Sequence, residues 1–181
     1  MTWFCWSRYT YRKPLRRFAL MSDNDVLPTE VTYRPMTESD LDQVVGLEGE
    51  IFTDAWPRSA FQDVMRESGW SIWVACSLTT VIAYACWLIV ADECHLANIA
   101  VAEQWRRKSV AKRFLERILS EAQAASCRYI LLEVRTSNDP AVAFYRKHGF
   151  DVWYERPNYY QRPPEDALVM VRRLDGAVDS E

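Results

Sequence analysis

The sequence predicts a mixed α/β domain of the α+β kind, a central sheet of about seven strands flanked by about four helices. Three observations predict it. Ser71 to Ser77, Val81 to Val90 and Cys94 to Val101 are apolar stretches joined by short polar turns, the pattern of an antiparallel meander. Lys108 to Ala125 is amphipathic and is followed by the near-continuous apolar run Tyr129 to Val134; a helix set between two strands predicts a parallel crossover. The 181 residues, 49% hydrophobic and 13% aromatic, suffice for one full core and exclude a disordered chain.

Taken in order, residues 1–20 stand apart. Arg8, Arg12, Lys13, Arg16 and Arg17 occur there with no acid, interleaved with Trp3, Phe4, Trp6, Tyr9 and Tyr11. The stretch lacks the apolar core of a secretory signal; it resembles an organelle transit peptide, or more simply an upstream extension. The expected layout is an extension over residues 1–30 outside the fold, a domain over 31–174 and a tail over 175–181. Without those five cations the formal charge moves from −3 to −8, and an acidic domain argues against nucleic acid as a direct partner. No apolar run approaches the roughly eighteen residues of a membrane span, so no membrane is expected.

Val31 to Met36 reads as a strand. Thr37 then caps a helix running to about Phe52, with Glu38, Asp40 and Asp42 in its first turns, where the helix dipole favours acids. Leu41, Val44, Val45, Leu47 and Ile51 recur at helical spacing and belong to the core. After the break Thr53 to Pro57, Arg58 to Glu67 is a second helix, with Trp56 either core or pocket wall. In the long helix Val110, Phe114, Ile118, Leu119 and Ala122 share a face. Pro140 to His148 is the fourth helix, ended by Gly149 and followed by a strand from Phe150 to about Glu155. A long loop is expected before the last strand, Ala167 to Leu174.

Cys5, Cys76, Cys86, Cys94 and Cys127 are odd in number and form no C-x-x-C pair, which argues against a zinc site or a disulfide framework and fits a reducing cytoplasm. His95 and His148 have no clustered carboxylate or thiol beside them, and no metal is expected.

The stretch Asn98 to Arg113 runs from a strand end through a basic loop into a helix. The first turn of a helix carries N–H groups without partners and a partial positive charge, so such a loop can hold a phosphate. Arg106, Arg107, Lys108, Lys112 and Arg113 put five cations into eight positions. A solvated basic surface is the plainer reading, and on these residues alone both stay open.

The order of elements resembles the GCN5-related N-acetyltransferase (GNAT) fold. Asn98-Ile99-Ala100-Val101, Leu132-Glu133-Val134-Arg135 with Asn138, Ala143-Phe144-Tyr145, Gly149-Phe150, Asn158-Tyr159-Tyr160 and Glu165-Asp166-Ala167 together resemble the RimI family of bacterial ribosomal-protein-alanine N-acetyltransferases. The resemblance spans about Val31 to Leu174. The family's cofactor loop is Q/R-x-x-G-x-G/A. Here it is Arg106-Arg107-Lys108-Ser109-Val110-Ala111, so Ser109 replaces the first glycine and removes its freedom of φ and its bare approach to a pyrophosphate.

The resemblance implies acetyl-CoA as co-substrate, held by the backbone of Ile99, Ala100 and Val101, by the loop Arg106, Arg107, Lys108, Ser109, Val110, Ala111 and Lys112, and by Asn138. Asn138 also reads as an ordinary helix cap. Glu133 is the expected base: an acid inside Ile-Leu-Leu-Glu-Val would be buried, with a raised pKa suited to taking a proton from an amine. A Glu at the sheet edge, facing water or paired with an arginine, is the plainer alternative. Tyr145 matches the family's general acid, although an aromatic packing on a helix would look the same. Trp56, Tyr159 and Tyr160 are expected to line a peptide groove, with Glu165 and Asp166 drawing in a basic N-terminus.

The leading function is therefore a protein N-alpha-acetyltransferase acting on the N-terminal alanine of a small-subunit ribosomal protein, by direct attack in a ternary complex. Two alternatives stand beside it: a GNAT enzyme for lysine or a small amine, and a non-catalytic module with weak cofactor affinity. Location in the cytoplasm is expected; the oligomeric state is open, with a monomer favoured.

Overall fold

The computed structural model describes residues 30–174. The expected extension and tail lie outside the described residues, apart from Glu30. One seven-stranded sheet holds β1 (Val31–Pro35), β2 (Trp70–Ser77), β3 (Thr80–Val90), β4 (Glu93–Val101), β5 (Tyr129–Arg135), β6 (Asp151–Gln161) and β7 (Pro164–Arg173), in the order β1-β2-β3-β4-β5-β7-β6. Four helices accompany it: α1 (Leu41–Ile51), α2 (Arg58–Arg66), α3 (Val110–Ala124) and α4 (Asp139–Lys147). The mixed architecture, the meander β2-β3-β4 and the parallel β4–β5 crossover all agree with the sequence reading.

Side chains of β3 tie two helical layers to the sheet. Tyr84 meets Phe61 of α2 edge-on and donates its hydroxyl to Glu48 of α1, while Trp87 donates Nε1 to Glu121 of α3 at 3.1 Å. Both aromatics are fully buried, so their polar atoms need those partners.

The β4–β5 pairing positions the site. It runs only from Glu93↔Tyr129 to Leu96↔Leu132. Beyond this β4 stays with β3 as far as Val101↔Ala83, and β5 stays with β7 as far as Arg135↔Ala167. The two central strands therefore part, and the β4 edge beyond Leu96 has no strand beside it.

Three boundaries differ from expectation. The first helix begins as a 3-10 turn, Glu38–Asp40, ahead of α1. There Asp40 is turned back to accept the Thr37 N–H at 2.8 Å and both Arg34 nitrogens at 2.6 and 2.7 Å. Helix α3 starts at Val110 and not Lys108, because Arg107 and Ser109 take left-handed φ of 59° and 62°. The expected long loop after Glu155 is instead the β6–β7 hairpin, which places Tyr159, Tyr160, Glu165 and Asp166 in strands. Proline reads as a loop former, but here Pro157 sits in a bulge between Arg156 and Tyr160, where its missing N–H costs no ladder bond. Asn158 takes φ of 52° beside it, a conformation Asn tolerates, and donates its N–H to Asp166 at 2.6 Å.

Candidate active site

A pocket lies where β4 and β5 part. Phe52 and Trp56 wall it from the α1–α2 segment, Leu96 to Ile99 from β4, Leu132 to Arg135 from β5, Asn138 from the N-cap of α4, Ala141 and Tyr145 from α4 itself, and Tyr160 from β6. Trp56, Ile99, Glu133, Asn138, Tyr145 and Tyr160 thus meet as the sequence reading expected. Ala100, Val101, Tyr159 and the loop 106–112 do not line this pocket.

Glu133 alternates with buried Leu132 and Val134 along β5, yet it is not the buried carboxylate expected. Its side chain is 29% exposed, and Arg156 Nη1 donates to its Oε1 at 2.9 Å. The reason is reach: Arg156 of β6 sits opposite small Ala167 of β7, and its long side chain crosses that strand to β5. Tyr145 packs against Phe144 and Phe150, and burial pushes its phenol well above the usual value. Asn138 caps α4, its Oδ1 accepting the Ala141 N–H at 3.3 Å, and also lines the pocket, so cap and wall are one residue.

Tyr159 and Tyr160 are both buried, each with a guanidinium on its ring: Arg156 over Tyr159 and Arg135 over Tyr160, at 4.2 and 4.0 Å. Glu165 is not free to attract a basic peptide. It accepts from Arg135, from Thr136 Oγ1 at 3.0 Å and from the Ser137 N–H at 2.7 Å. Burial raises its carboxyl pKa, but the Ser137, Arg135 and Thr136 donors outweigh that and hold it down at about 2. Asp166 is likewise engaged by the Asn158 N–H.

Sequence reasoning missed Glu48. It is fully buried on α1, with Oε1 accepting the Trp56 N–H at 2.9 Å and its other oxygen the Tyr84 hydroxyl. Burial pushes its carboxyl up to about 7 against the pull of Trp56, Tyr84 and Asn98. A signal existed: Glu48 lies four residues after Val44 and three before Ile51, on the stripe assigned to the core.

The loop before α3 fits an anion. Ser109 is the N-cap, but its side chain makes no capping hydrogen bond, so the first N–H groups of α3 have no side chain closing them off. Three of its cations already have partners within the chain. Arg106 Nε donates to the Val101 carbonyl at 3.1 Å, Lys108 lies over Trp105 and Lys112 pairs with Glu116.

The acetyltransferase (GNAT) family matches residues 41–150 of the chain. The chain belongs to the GNAT family. Among its GNAT relatives, an N-alpha-acetyltransferase of Saccharolobus solfataricus is 30% identical over 158 residues, covering 80% of this chain and 94% of the relative. The ribosomal protein bS18-alanine N-acetyltransferase of Escherichia coli strain K12 is 37% identical over 90 residues, 49% of this chain and 61% of that protein. The crystal structure of the Escherichia coli ribosomal-protein-S18-alanine N-acetyltransferase superposes with a TM-score of 0.75 at 26% identity, covering 84% of this chain and 99% of that one. The chain is thus an N-acetyltransferase of the GNAT fold. Among the described residues no helix is long and apolar enough to cross a membrane.

Proposed function

We propose that the chain is a protein N-alpha-acetyltransferase that acetylates the N-terminal alanine of a small-subunit ribosomal protein by direct attack. The observation that carries this reading is the convergence of a carboxylate and a phenol, Glu133 and Tyr145, on one pocket walled by Trp56 and Tyr160. The relatives named for ribosomal protein bS18 alanine support the choice of acceptor.

Bound acetyl-CoA supplies the activated acetyl thioester. The unpaired β4 edge at Ile99, Ala100 and Val101 is proposed to hold its acyl end, with Asn138 beside it. The N–H groups of Val110, Ala111 and Lys112, with Arg106, Arg107, Lys108 and Ser109 around them, are proposed to hold its phosphates. An α-amino group has a pKa of about 8 and is mostly protonated at neutral pH, so it must shed a proton before it attacks. Glu133 takes that proton at a carboxylate oxygen, with Arg156 fixing the carboxylate's orientation. Tyr145 donates a hydrogen bond from Oη to the departing sulfur; its raised pKa favours holding the proton over releasing it. The four described cysteines, Cys76, Cys86, Cys94 and Cys127, are all buried and none lines the pocket, which supports direct attack over an acetyl-enzyme. A cytoplasmic location goes with this acceptor.

Thiol release from acetyl-CoA with Ala-starting peptides, free or blocked at the N-terminus and with or without lysine, tests the reading. Release with free N-termini alone supports it. Release from blocked lysine peptides would make the enzyme a lysine acetyltransferase, and no release with no acetyl-CoA binding would make it a non-catalytic module.

A further inference from the structure

A chain of buried polar groups leads from α1 to the pocket. The Glu48 carboxylate accepts the Tyr84 hydroxyl, and the Tyr84 oxygen in turn accepts Asn98 Nδ2 at 2.8 Å; the same nitrogen faces Glu48 at 3.4 Å. With Glu48 ionised its oxygens only accept, and Tyr84 gives its one proton to Glu48, so both groups facing Asn98 on this side are acceptors. An amide meets two acceptors only with its NH2 end. The orientation of Asn98 is thereby set, and its carbonyl Oδ1 is the polar atom left over. Among the described residues Oδ1 has no hydrogen-bond partner, and Asn98 lines the pocket together with Glu133 and Tyr145.

We propose that Asn98 orients the acceptor, its Oδ1 accepting one N–H of the attacking α-amine, and that Glu48 and Tyr84 are positioning residues which hold the amide in that orientation. The inference rests on the proposed α-amine acceptor. A neutral primary amine has one lone pair and two N–H bonds, so anchoring one N–H aims the lone pair at the acyl carbon. No bond breaks at Asn98: the ammonium's first proton goes to Glu133 before attack, the second is lost from the adduct to the departing thiolate, and the N–H held by Oδ1 stays with the product amide. Glu48 also holds the Trp56 N–H, so one carboxylate fixes the amide and a pocket wall together.

Steady-state kinetics with an Ala-starting peptide, beside calorimetry with acetyl-CoA, test this on the wild type, Asn98→Ala and Tyr84→Phe. Asn98→Ala is expected to raise the peptide KM about tenfold, with acetyl-CoA affinity within about twofold of wild type, because the lost hydrogen bond is to the acceptor alone. Tyr84→Phe, which keeps the ring and frees the amide to turn, is expected to raise the peptide KM about threefold. A peptide KM unchanged in Asn98→Ala overturns the proposal while leaving the function standing. If Asn98→Ala does not fold, an unchanged peptide KM in Tyr84→Phe overturns it in the same way. A wild type that binds acetyl-CoA but acetylates no free α-amine overturns both the function and this inference.

Discussion

Arg156 of β6 reaches over β7 to donate to Glu133 of β5, Nη1 to Oε1 at 2.9 Å. The pair joins two strands that are not neighbours in the sheet and fixes the proposed base in the pocket wall. Glu133→Gln removes the proton acceptor but keeps the shape, so kcat should fall about a hundredfold. Arg156→Ala leaves the carboxylate present but unanchored, and kcat should fall about tenfold. Single-turnover acetylation of an Ala-starting peptide measures both; equal losses would mean that Arg156 does more than orient.

Tyr145→Phe should lower kcat by about tenfold to a hundredfold while acetyl-CoA affinity stays close to wild type, since the hydroxyl acts on the departing sulfur. Calorimetry together with thiol-release kinetics separates the two effects. Unchanged turnover would reduce Tyr145 to an aromatic packing against Phe144 and Phe150.

Ser109→Gly should both stabilise the protein and tighten acetyl-CoA binding. Ser109 holds φ of 62°, a conformation that costs a residue with a Cβ about 1–2 kcal/mol, partly offset in the variant by glycine's greater unfolded-state freedom. The net gain of up to about 1 kcal/mol should appear as a thermal midpoint a few degrees higher. Calorimetry reads the affinity, and equal or weaker binding would mean that the serine hydroxyl itself serves the phosphate.

Acid and neutral pH should act on stability through different residues. Glu165, held down at about 2 by its hydrogen bonds from Ser137, Arg135 and Thr136, binds its proton less readily folded than unfolded. Its contribution is present above about pH 4 and is lost as pH falls towards 2. Asp40, which the Arg34 guanidinium holds well below the usual carboxylate range, acts in the same direction. Glu48 has the opposite sign. Burial raises its carboxyl to about 7, so the fold prefers it protonated, and the stability it contributes below about pH 4.5 is lost as pH rises through 7. Thermal midpoints followed by circular dichroism should drop from about pH 5 to 8 through this group, and Glu48→Gln should flatten that slope.

The legible parts of the molecule were those with a local signature. The Val44–Leu47–Ile51 stripe, the meander and the α3 crossover each repeat at the period of their own element, and the structure keeps them. Glu133, Tyr145, Asn138, Trp56 and Tyr160 were legible through their spacing in family motifs, and they meet in one pocket. The β6–β7 hairpin was hidden because Pro157, Pro163 and Pro164 read as loop residues, whereas Pro157 sits in a bulge, Pro163 in the turn and Pro164 at the first position of β7. An arginine partner for Glu133 was one of the open readings, but which arginine was hidden, because the pair joins strands separated by β7. Glu48 belongs to no motif, and its place on the apolar stripe is the one sign of its burial.

The most direct test is where the acetyl group lands. A peptide beginning with alanine and carrying an internal lysine, incubated with the protein and acetyl-CoA, should give a product whose tandem mass spectrum puts a single acetyl group on the α-amine, with the lysine untouched. Acetylation of the lysine in place of the N-terminus would contradict the account.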